Sequence, residues 1–241
     1  MTTRAVLVDL DDTLFDHQGA ARAALSVVHR RDAAGVAFDR FEQAHAHHLE
    51  DLHLDVLAGR RSIDDARRER FRRLFDAMGV PLDDVRVDEV AAAYRRGYLE
   101  ARRALDGAAA LLAAIKPHAR IAIVSNNLLD EQREKVRFCG LASFVDALVV
   151  SEEAGMSKPD PEIFRIALDR VGTPADQAVM LGDSWAADIV GAVRAGIRPV
   201  WFNPGRKPRP SDPPAVAEVF SLQPADAVLP LLLGTTDRVE R

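Results

Sequence analysis

The chain has 241 residues, 48% of them hydrophobic, with a formal net charge of -5 and a single cysteine, Cys139. This length fits one large domain or a core with a smaller second domain, and the composition excludes an intramolecular disulfide and a strongly basic nucleic-acid binder. Because no apolar segment approaches the roughly 18 residues of a membrane span and no apolar leader opens the chain, we expect a cytoplasmic protein without membrane or nucleic-acid partners.

Short apolar runs rich in branched residues recur along the chain and predict strands that are buried on both faces. They lie at residues 5–10, 120–125, 147–151, 178–183 and 198–203, with a last short strand near Val219. Helical patterns separate the later strands, at 128–139, 161–171 and 186–195, and a helix near 226–233 follows. Strands that alternate with helices predict an α/β fold, a doubly wound parallel sheet with a Rossmann-like core.

Residues 17–103 break this alternation, because they contain no strand candidate. Amphipathic helices are predicted there at 20–28, 38–57, 63–78 and 87–103. A structureless loop of this length inside a compact domain would be very unusual. The sequence therefore predicts an all-helical domain over 17–103, inserted into a Rossmann-like core made of residues 1–16 and 104–241.

Two polar features of the insert are expected to carry no binding function. The Arg-rich run at residues 67–73 alternates with acidic and apolar residues, which favours the solvated face of a helix over a binding patch. The histidines at 45, 47, 48 and 53 are spaced so that they wrap around a helix, which disfavours a metal site.

Polar side chains follow the predicted strands at the points where the strands end. In an open parallel sheet, ligands bind beyond the carboxyl ends of the strands, so these side chains are expected to converge. They are Asp9 and Asp11 after the first strand, Ser125 and Asn126 after the second, Lys158 after the third and Asp183 after the fourth.

Such a set has a definite chemistry. Two like charges about 4 Å apart repel by about 4 kcal/mol at an effective dielectric near 20, so clustered carboxylates favour a bound cation. Oxygen ligands without a nearby cysteine or histidine favour Mg²⁺ over zinc. A lysine and a hydroxyl opposite that ion would bind a phosphate group, one carboxylate can act as nucleophile, and a second can transfer protons.

Four motifs resemble those of the haloacid dehalogenase (HAD) superfamily. Residues 9–14 (DLDDTL) resemble its first motif, DxDxT, which implies Asp9 as a nucleophile that forms an aspartyl-phosphate. The same motif implies Asp11 as general acid/base, with its main-chain carbonyl on the metal. Thr13 is expected to hydrogen-bond within that loop and to help set Asp9 as a supporting residue. The dipeptide Ser125-Asn126 resembles the second motif, whose hydroxyl and following backbone N–H hold the phosphoryl oxygens.

The third and fourth motifs follow in the expected order. Lys158, in the run SKPDPE, matches the third motif, whose lysine neutralises the nucleophile and the phosphate. Residues 182–188 (GDSWAAD) match the fourth, GDxxxxD, in which Asp183 would bind the metal and Asp188 would support it indirectly or pair with Lys158. The insert matches the helical cap of the subgroup in which the cap follows the first motif.

The resemblance implies a Mg²⁺-dependent phosphatase, monomeric or homodimeric, that acts on a small phosphate monoester. A haloacid dehalogenase would lack the carboxylate at Asp11, whereas a phosphomutase would keep it, so a phosphomutase stays an alternative together with a non-enzymatic binding protein. Residues 59–71 and the continuation of the fourth motif resemble nucleotidase-like and sugar-phosphatase-like members. The expected substrate is therefore similar to a nucleotide or a sugar phosphate.

Overall fold

A computed structural model of the protein describes residues 3–210 and 216–234, and the chain folds into two compact units. The first unit comprises Met1–Asp16 and Arg103–Arg241, and the second comprises His17–Arg102. Arg103, which the sequence pattern places at the end of the insert, belongs to the first unit.

The first unit is built on a parallel sheet. Within the described residues the sheet has six strands, β1 (Ala5–Val8), β2 (Arg120–Ser125), β3 (Ala147–Val150), β4 (Ala178–Gly182), β5 (Arg198–Phe202) and β6 (Ala217–Val219). Their order is β3-β2-β1-β4-β5-β6, and every neighbouring pair is parallel. The order changes direction between β1 and β4, which is where open α/β sheets bind ligands. The predicted doubly wound, Rossmann-like fold is confirmed.

The helices divide between the two units. The second unit contains α1 (His17–Asp32), α2 (Phe38–Leu57), α3 (Ile63–Ala77) and α4 (Asp84–Glu100). The first contains α5 (Ala108–Ile115), α6 (Leu129–Phe138), α7 (Ser151–Ala154), α8 (Pro161–Val171), α9 (Val190–Arg194) and α10 (Ala225–Leu233). A π-helical turn, Trp185–Ile189, precedes α9. No helix among the described residues is both long and apolar enough to cross a membrane.

Both faces of the sheet are buried. One face forms a cluster with α8 and α9 that includes Leu7, Val124, Met180 and Phe164. The alternate strand residues, such as Val8 and Ile123, are also fully buried. Helices α5 and α10 contact β2 and β4 and have no residue in that cluster, so they cover the opposite face. Burial on both faces explains why the strands are continuous apolar runs rather than alternating ones.

The points where the chain leaves and re-enters the first unit lie side by side. The backbone N–H of Asp16 donates to the carbonyl of Arg103 at 3.1 Å, and that of Leu105 donates to the carbonyl of Leu14 at 2.9 Å. The guanidinium of Arg103 also pairs with the carboxylate of Asp16, at 2.7 Å. These contacts close the first unit at the position of the insertion.

The second unit packs α1 against α4 and α2 against α3. Its core includes Phe41, Leu74 and Phe75, all fully buried. The start of α3 is capped by Ser62, whose hydroxyl accepts from the backbone N–H of Asp65 at 3.1 Å. Asp83 caps α4 in the same way, at 2.9 Å from the N–H of Arg86. These caps explain why both helices begin where they do.

The polar features of the insert depart from expectation at particular residues. The Arg-rich run is mostly solvated, but Arg70 is only 7% exposed, because its helical position faces the interior next to Phe71. His45 is likewise buried. The neighbouring side chains of His47, His48 and Asp51 form a surface group whose ligand atoms lie within 4.8 Å of one another, so the histidines do not all spread around the helix.

Candidate active site

Asp9 lies at the carboxyl end of β1. Its backbone N–H donates to the carbonyl of Leu181 at 2.9 Å, which continues the pairing of β1 with β4, and the residue is only 6% exposed. Burial raises the pKa of Asp9 well above its usual range; Lys158 lowers it, and Asp188 and Asp183 raise it further. A carboxylate in this position needs a cation beside it to stay ionised.

That cation is Lys158. Its ammonium donates to Oδ1 of Asp9 at 2.6 Å, to Oδ1 of Asp188 at 2.6 Å and to the carbonyl of Val124 at 2.7 Å. Burial lowers the pKa of Lys158, but the carboxylates of Asp188 and Asp9 outweigh burial, and the pKa is raised overall. All three ammonium protons therefore have acceptors, as a buried charge requires.

Asn126 fixes the segment that carries Lys158. Its side-chain carbonyl accepts from the backbone N–H of Lys158 at 2.7 Å, and its amide donates to the carbonyl of Lys158 at 2.9 Å. The peptide bond that follows, Lys158-Pro159, is cis. The adjacent Ser125 is 2% exposed, and its hydroxyl accepts from Nε2 of Gln132 at 2.6 Å. The Asn126 side chain thus holds the lysine segment, and its backbone N–H is what the resemblance assigns to the phosphoryl group.

Asp183 follows β4 and faces Thr13 of the first motif. The Thr13 hydroxyl accepts from the backbone N–H of Asp183 at 3.1 Å, and it lies 3.4 Å from Oδ1 of Asp183 as a donor. The indole N–H of Trp201 donates to the carbonyl of Asp183 at 2.9 Å. Burial raises the pKa of Asp183 to about 7, with further contributions from Asp188 and Asp12.

Asp188 is fully buried, and both of its carboxylate oxygens accept hydrogen bonds. Oδ1 accepts from Lys158, and Oδ2 accepts from the backbone N–H of Ser184 at 3.0 Å. Gly182 makes this approach possible, because a side chain at that position would place its Cβ 2.6 Å from Cβ of Asp188. Of the two roles that the fourth motif implies for Asp188, the contact observed is the pair with Lys158.

The donor set fits a divalent cation. Carboxylate oxygens of Asp9, Asp183 and Asp188 lie within 4.8 Å of one another, and Lys158 supplies only one positive charge against these three carboxylates. Asp188 is used by Lys158 and Ser184, which leaves Asp9 and Asp183 as the carboxylates with oxygens available to an ion. Hard oxygen ligands of this kind suit Mg²⁺.

The carboxylate of Asp11 is held apart from this group. Its Oδ1 accepts from the ammonium of Lys135 at 2.5 Å, and its Oδ2 accepts from Gln132 at 2.9 Å and from Asn127 at 3.3 Å. Since Gln132 also donates to Ser125, the two residues implied in proton transfer and phosphate binding share one amide. The Asp11 side chain is therefore directed to α6, and any contact of Asp11 with a metal would be through its main-chain carbonyl.

Comparison with known proteins identifies the family of this chain. Residues 3–196 match the family of haloacid dehalogenase-like hydrolases. The chain belongs to this family. A phosphoserine phosphatase from Thermus thermophilus is 32% identical over 235 residues, which cover 88% of this chain and 92% of that protein.

Two solved structures of the family align with almost the whole of this chain. A crystal structure of YfnB from Bacillus subtilis, bound to magnesium, covers 95% of this chain and 99% of its own, with 28% identity and a TM-score of 0.75. A 2-haloacid dehalogenase from Pseudomonas syringae covers 94% and 98%, with 26% identity and a TM-score of 0.63. The relatives of this chain thus include a protein named as a phosphatase and one named as a dehalogenase, so the fold alone does not decide the reaction.

Two residues of the candidate site of this HAD hydrolase lie outside the four sequence motifs. Gln132 and Lys135 are 0% and 4% exposed, although they stand in a strongly charged helix, α6. Their spacing of three residues puts both on one face of the helix, the face that also buries Val136. Their burial is known only from the structure, so nothing in the sequence of this charged helix marks the pair.

Proposed function

We propose that this HAD hydrolase is a Mg²⁺-dependent phosphatase that hydrolyses a small phosphate monoester through an aspartyl-phosphate on Asp9. The observation that carries the proposal is the separation of two carboxylates. Asp9 is buried against Lys158, whereas Asp11 is held by Lys135 and Gln132. Two carboxylates in different environments suit two roles, nucleophile and acid/base.

The reaction class has independent support. The family match and the phosphatase relative confirm the prediction of a HAD-type phosphoric monoester hydrolase. The carboxylate at Asp11 favours this class over the dehalogenases, because attack on a carbon–halogen bond releases a halide that needs no proton. A nucleotide-like or sugar-phosphate-like ester is the substrate class that the resemblance of residues 59–71 supports.

Three residues that end or follow β2 and β3 have separate roles in binding the phosphoryl group. In the proposed mechanism Lys158 neutralises one phosphoryl oxygen, and the backbone N–H of Asn126 donates to another, as the resemblance to the second motif implies. The Ser125 hydroxyl accepts from Gln132, which directs its own proton away from that amide and toward a ligand. Bound Mg²⁺, held by Asp9, Asp183 and the main-chain carbonyl of Asp11, would neutralise charge on the phosphoryl group.

Two steps then follow. The first step starts with Asp11 in its protonated form. A carboxylate oxygen of Asp9 attacks phosphorus, the ester P–O bond breaks, and the proton of Asp11 passes to the leaving oxygen. In the second, Asp11 takes a proton from water, and the resulting hydroxide attacks phosphorus. The P–O bond to Asp9 breaks and inorganic phosphate leaves, so that Asp9 is again a carboxylate and Asp11 is again protonated.

The test uses hydrolysis of p-nitrophenyl phosphate. We expect activity with Mg²⁺, none in excess chelator, and recovery when Mg²⁺ is returned. Asp9→Asn should lower turnover by more than about a hundredfold, because loss of a positioned proton-transfer group alone costs about 10²–10⁴-fold and Asp9 does the bond-making. The matched control is Asp12→Asn, since Asp12 has a positive φ of 61° that asparagine adopts easily.

The outcomes separate the alternatives. Full activity in excess chelator, or Asp9→Asn with more than about a hundredth of the activity, would contradict the mechanism. Release of inorganic phosphate, measured beside any isomerised ester, distinguishes a phosphatase from a phosphomutase. Phosphate-ester binding without turnover of any ester in a broad panel would indicate a binding protein.

A further inference from the structure

Three possible metal ligands lie together on the surface of α2. His47, His48 and Asp51 each place one ligand atom within 4.8 Å of those of the other two. Asp51 follows His48 by three residues and His47 by four, and these are the spacings that bring side chains together on one side of an α-helix. The spacing of the histidines alone disfavours a metal site because it leaves out Asp51, the residue that joins two of them.

The separation between His47 and Asp51 suits a shared ion better than a direct hydrogen bond. Nε2 of His47 lies 3.5 Å from Oδ2 of Asp51. Direct hydrogen bonds from nitrogen to oxygen are about 2.7–3.2 Å long. Two ligand atoms that each lie about 2.0–2.1 Å from a tetrahedral ion are about 3.3–3.4 Å apart. The ring centroid of His48 is 5.4 Å from that of His47, so an ion held by the pair has a second imidazole beside it.

Solvent, and therefore an ion, reaches all three side chains. Those of His47 and Asp51 are 69% and 51% exposed. His48 is half-buried, and its Nδ1 atom is the buried one, which leaves Nε2 as the nitrogen that is open to an ion. Within the described residues, His47 and Asp51 form an ion pair only with each other, so a bound ion would break no other pair.

The charges around the group leave its carboxylate available to a cation. Two charged residues of α3, Glu69 and Arg73, act electrostatically on His48, but they pair with each other at 2.8 Å. The partner of Asp51 is the imidazole of His47, which compensates the carboxylate only when it is protonated. A divalent cation would compensate Asp51 and would also bind the lone pairs of neutral imidazoles.

The ligand types indicate which ions fit. Two imidazole nitrogens and one carboxylate oxygen suit Zn²⁺ and the neighbouring transition metals, whereas Mg²⁺ prefers oxygen ligands alone. The group of Asp9, Asp183 and Asp188 in the first unit offers only oxygens. The two groups therefore differ in the metal that they favour. Three protein ligands with water in the fourth position are a common arrangement for Zn²⁺.

We propose that His47, His48 and Asp51 form a surface binding site for Zn²⁺ in the second unit, separate from the magnesium site of the first. All three ligands come from adjacent turns of one helix, so only the folded helix brings them together. A bound ion therefore stabilises the folded second unit. This inference does not rest on the proposed phosphatase activity.

The experiment is isothermal titration of the full chain with Zn²⁺ in the presence of excess Mg²⁺. The variants are His47→Gln, His48→Gln and Asp51→Asn, and the matched control is His53→Gln, a histidine of the same helix outside the group. Repeating the titration in Asp183→Asn, which lacks one oxygen ligand of the first unit, distinguishes the proposed site from Zn²⁺ that replaces Mg²⁺.

Wild type, His53→Gln and Asp183→Asn should each bind Zn²⁺ at the proposed site. Each of the three ligand variants should bind there at least about tenfold more weakly, since even the loss of a residue that only orients a ligand costs about 10–100-fold. Zn²⁺ should raise the melting temperature of wild type and His53→Gln but not that of His47→Gln. Without metal all of these melting temperatures should agree, because His47 is a surface residue.

A second measurement uses wild type alone, so it does not depend on the folding of any variant. Paramagnetic Co²⁺, added in excess Mg²⁺, should broaden the ring NMR signals of His47 and His48. The ring signals of His118, an exposed histidine of the first unit, should stay sharp.

Three results would overturn the inference. One is a Zn²⁺ affinity that is the same in wild type and in the double variant His47→Gln/His48→Gln. Another is loss of all Zn²⁺ binding in Asp183→Asn, which would place the ion in the first unit. The third is Co²⁺ broadening that spares His47 and His48.

Discussion

Each unit of this protein buries a cation, and the two cations differ in the groups that surround them. Lys158, in the first unit, donates to three oxygens, two of which belong to carboxylates. Arg70, in the second unit, is as deeply buried but has aromatic rings where the carboxylates would be. The difference is that Lys158 has carboxylate partners within its own unit, whereas Arg70 has none among the described residues.

The largest expected effect follows from removing the paired cation. Lys158→Met leaves Asp9 and Asp188 buried without compensation, which should lower the free energy of unfolding by about 3–5 kcal/mol. Turnover of p-nitrophenyl phosphate should fall by at least about 10²–10³-fold, since a charge that faces the phosphoryl group is lost. Thermal or denaturant unfolding, run beside the kinetics, measures both effects.

Two other substitutions serve as the control and the comparison for Lys158→Met. Lys116→Met removes a half-buried cation whose partner, Asp146, keeps Arg120 as a second partner, and should change the unfolding free energy by less than about 1 kcal/mol. Arg70→Met should not destabilise the protein. If Lys158→Met were as stable as wild type while Arg70→Met unfolded readily, the contrast between the two cations would be the reverse of the one described.

A smaller effect concerns pH, and it tests how burial changes the protonation of Asp183 in the first unit. The pKa of Asp183 is about 7 because burial and nearby carboxylates disfavour its charged form. The raised value means that the folded, metal-free protein holds a proton that the unfolded chain releases above the usual pKa, so this group makes the metal-free protein more stable as pH falls from 8 toward 5. Mg²⁺ must displace that proton.

The apparent affinity for Mg²⁺ should therefore fall on acidification. At pH 5.5, about 1.5 units below the pKa of Asp183, the loss should be about thirtyfold relative to pH 8. Isothermal titration with Mg²⁺ at several pH values measures it. Asp160→Asn, which changes the carboxylate that caps α8, serves as control and should show the same dependence. An affinity that is flat between pH 8 and 5.5 would contradict the role of Asp183.

The smallest effect tests a third buried cation, Lys135. Lys135→Met removes the ammonium that holds Oδ1 of Asp11 while Gln132 and Asn127 still hold Oδ2. We expect kcat to fall by about tenfold, with KM and Mg²⁺ affinity unchanged, because only proton transfer depends on this orientation. Lys135→Arg should recover most of the loss. A change confined to KM would show that Lys135 contacts substrate rather than positioning Asp11.

The sequence predicts the sheet and much of the site because both depend on local signals. Strands buried on both faces appear as uninterrupted apolar runs, and the polar residues that end them must meet at one edge. Asp9, Lys158 and Asp183 follow from that rule alone. The cap of α8 at Asp160 is also local, since its side chain accepts from an N–H two residues away.

What the sequence does not reveal depends on contacts between distant segments. Lys135 and Arg70 each stand in a run of charged residues, where nothing local marks them as the members that point inward. The short helix α7 lies where a strand end and a loop are predicted, because its four residues give too little periodicity to recognise. The carboxylate of Asp188 is paired with Lys158, which stands thirty residues earlier along the chain.

The contacts between Asp16, Arg103 and their neighbours have a consequence for how this protein can change. Because the two ends of the insertion are hydrogen-bonded to each other within the first unit, the entropy of closing that loop depends only weakly on what lies between them. Doubling the length of a closed loop costs about 0.6 kcal/mol. Segments of quite different size can therefore be exchanged at this junction while the sheet of the first unit keeps its stability.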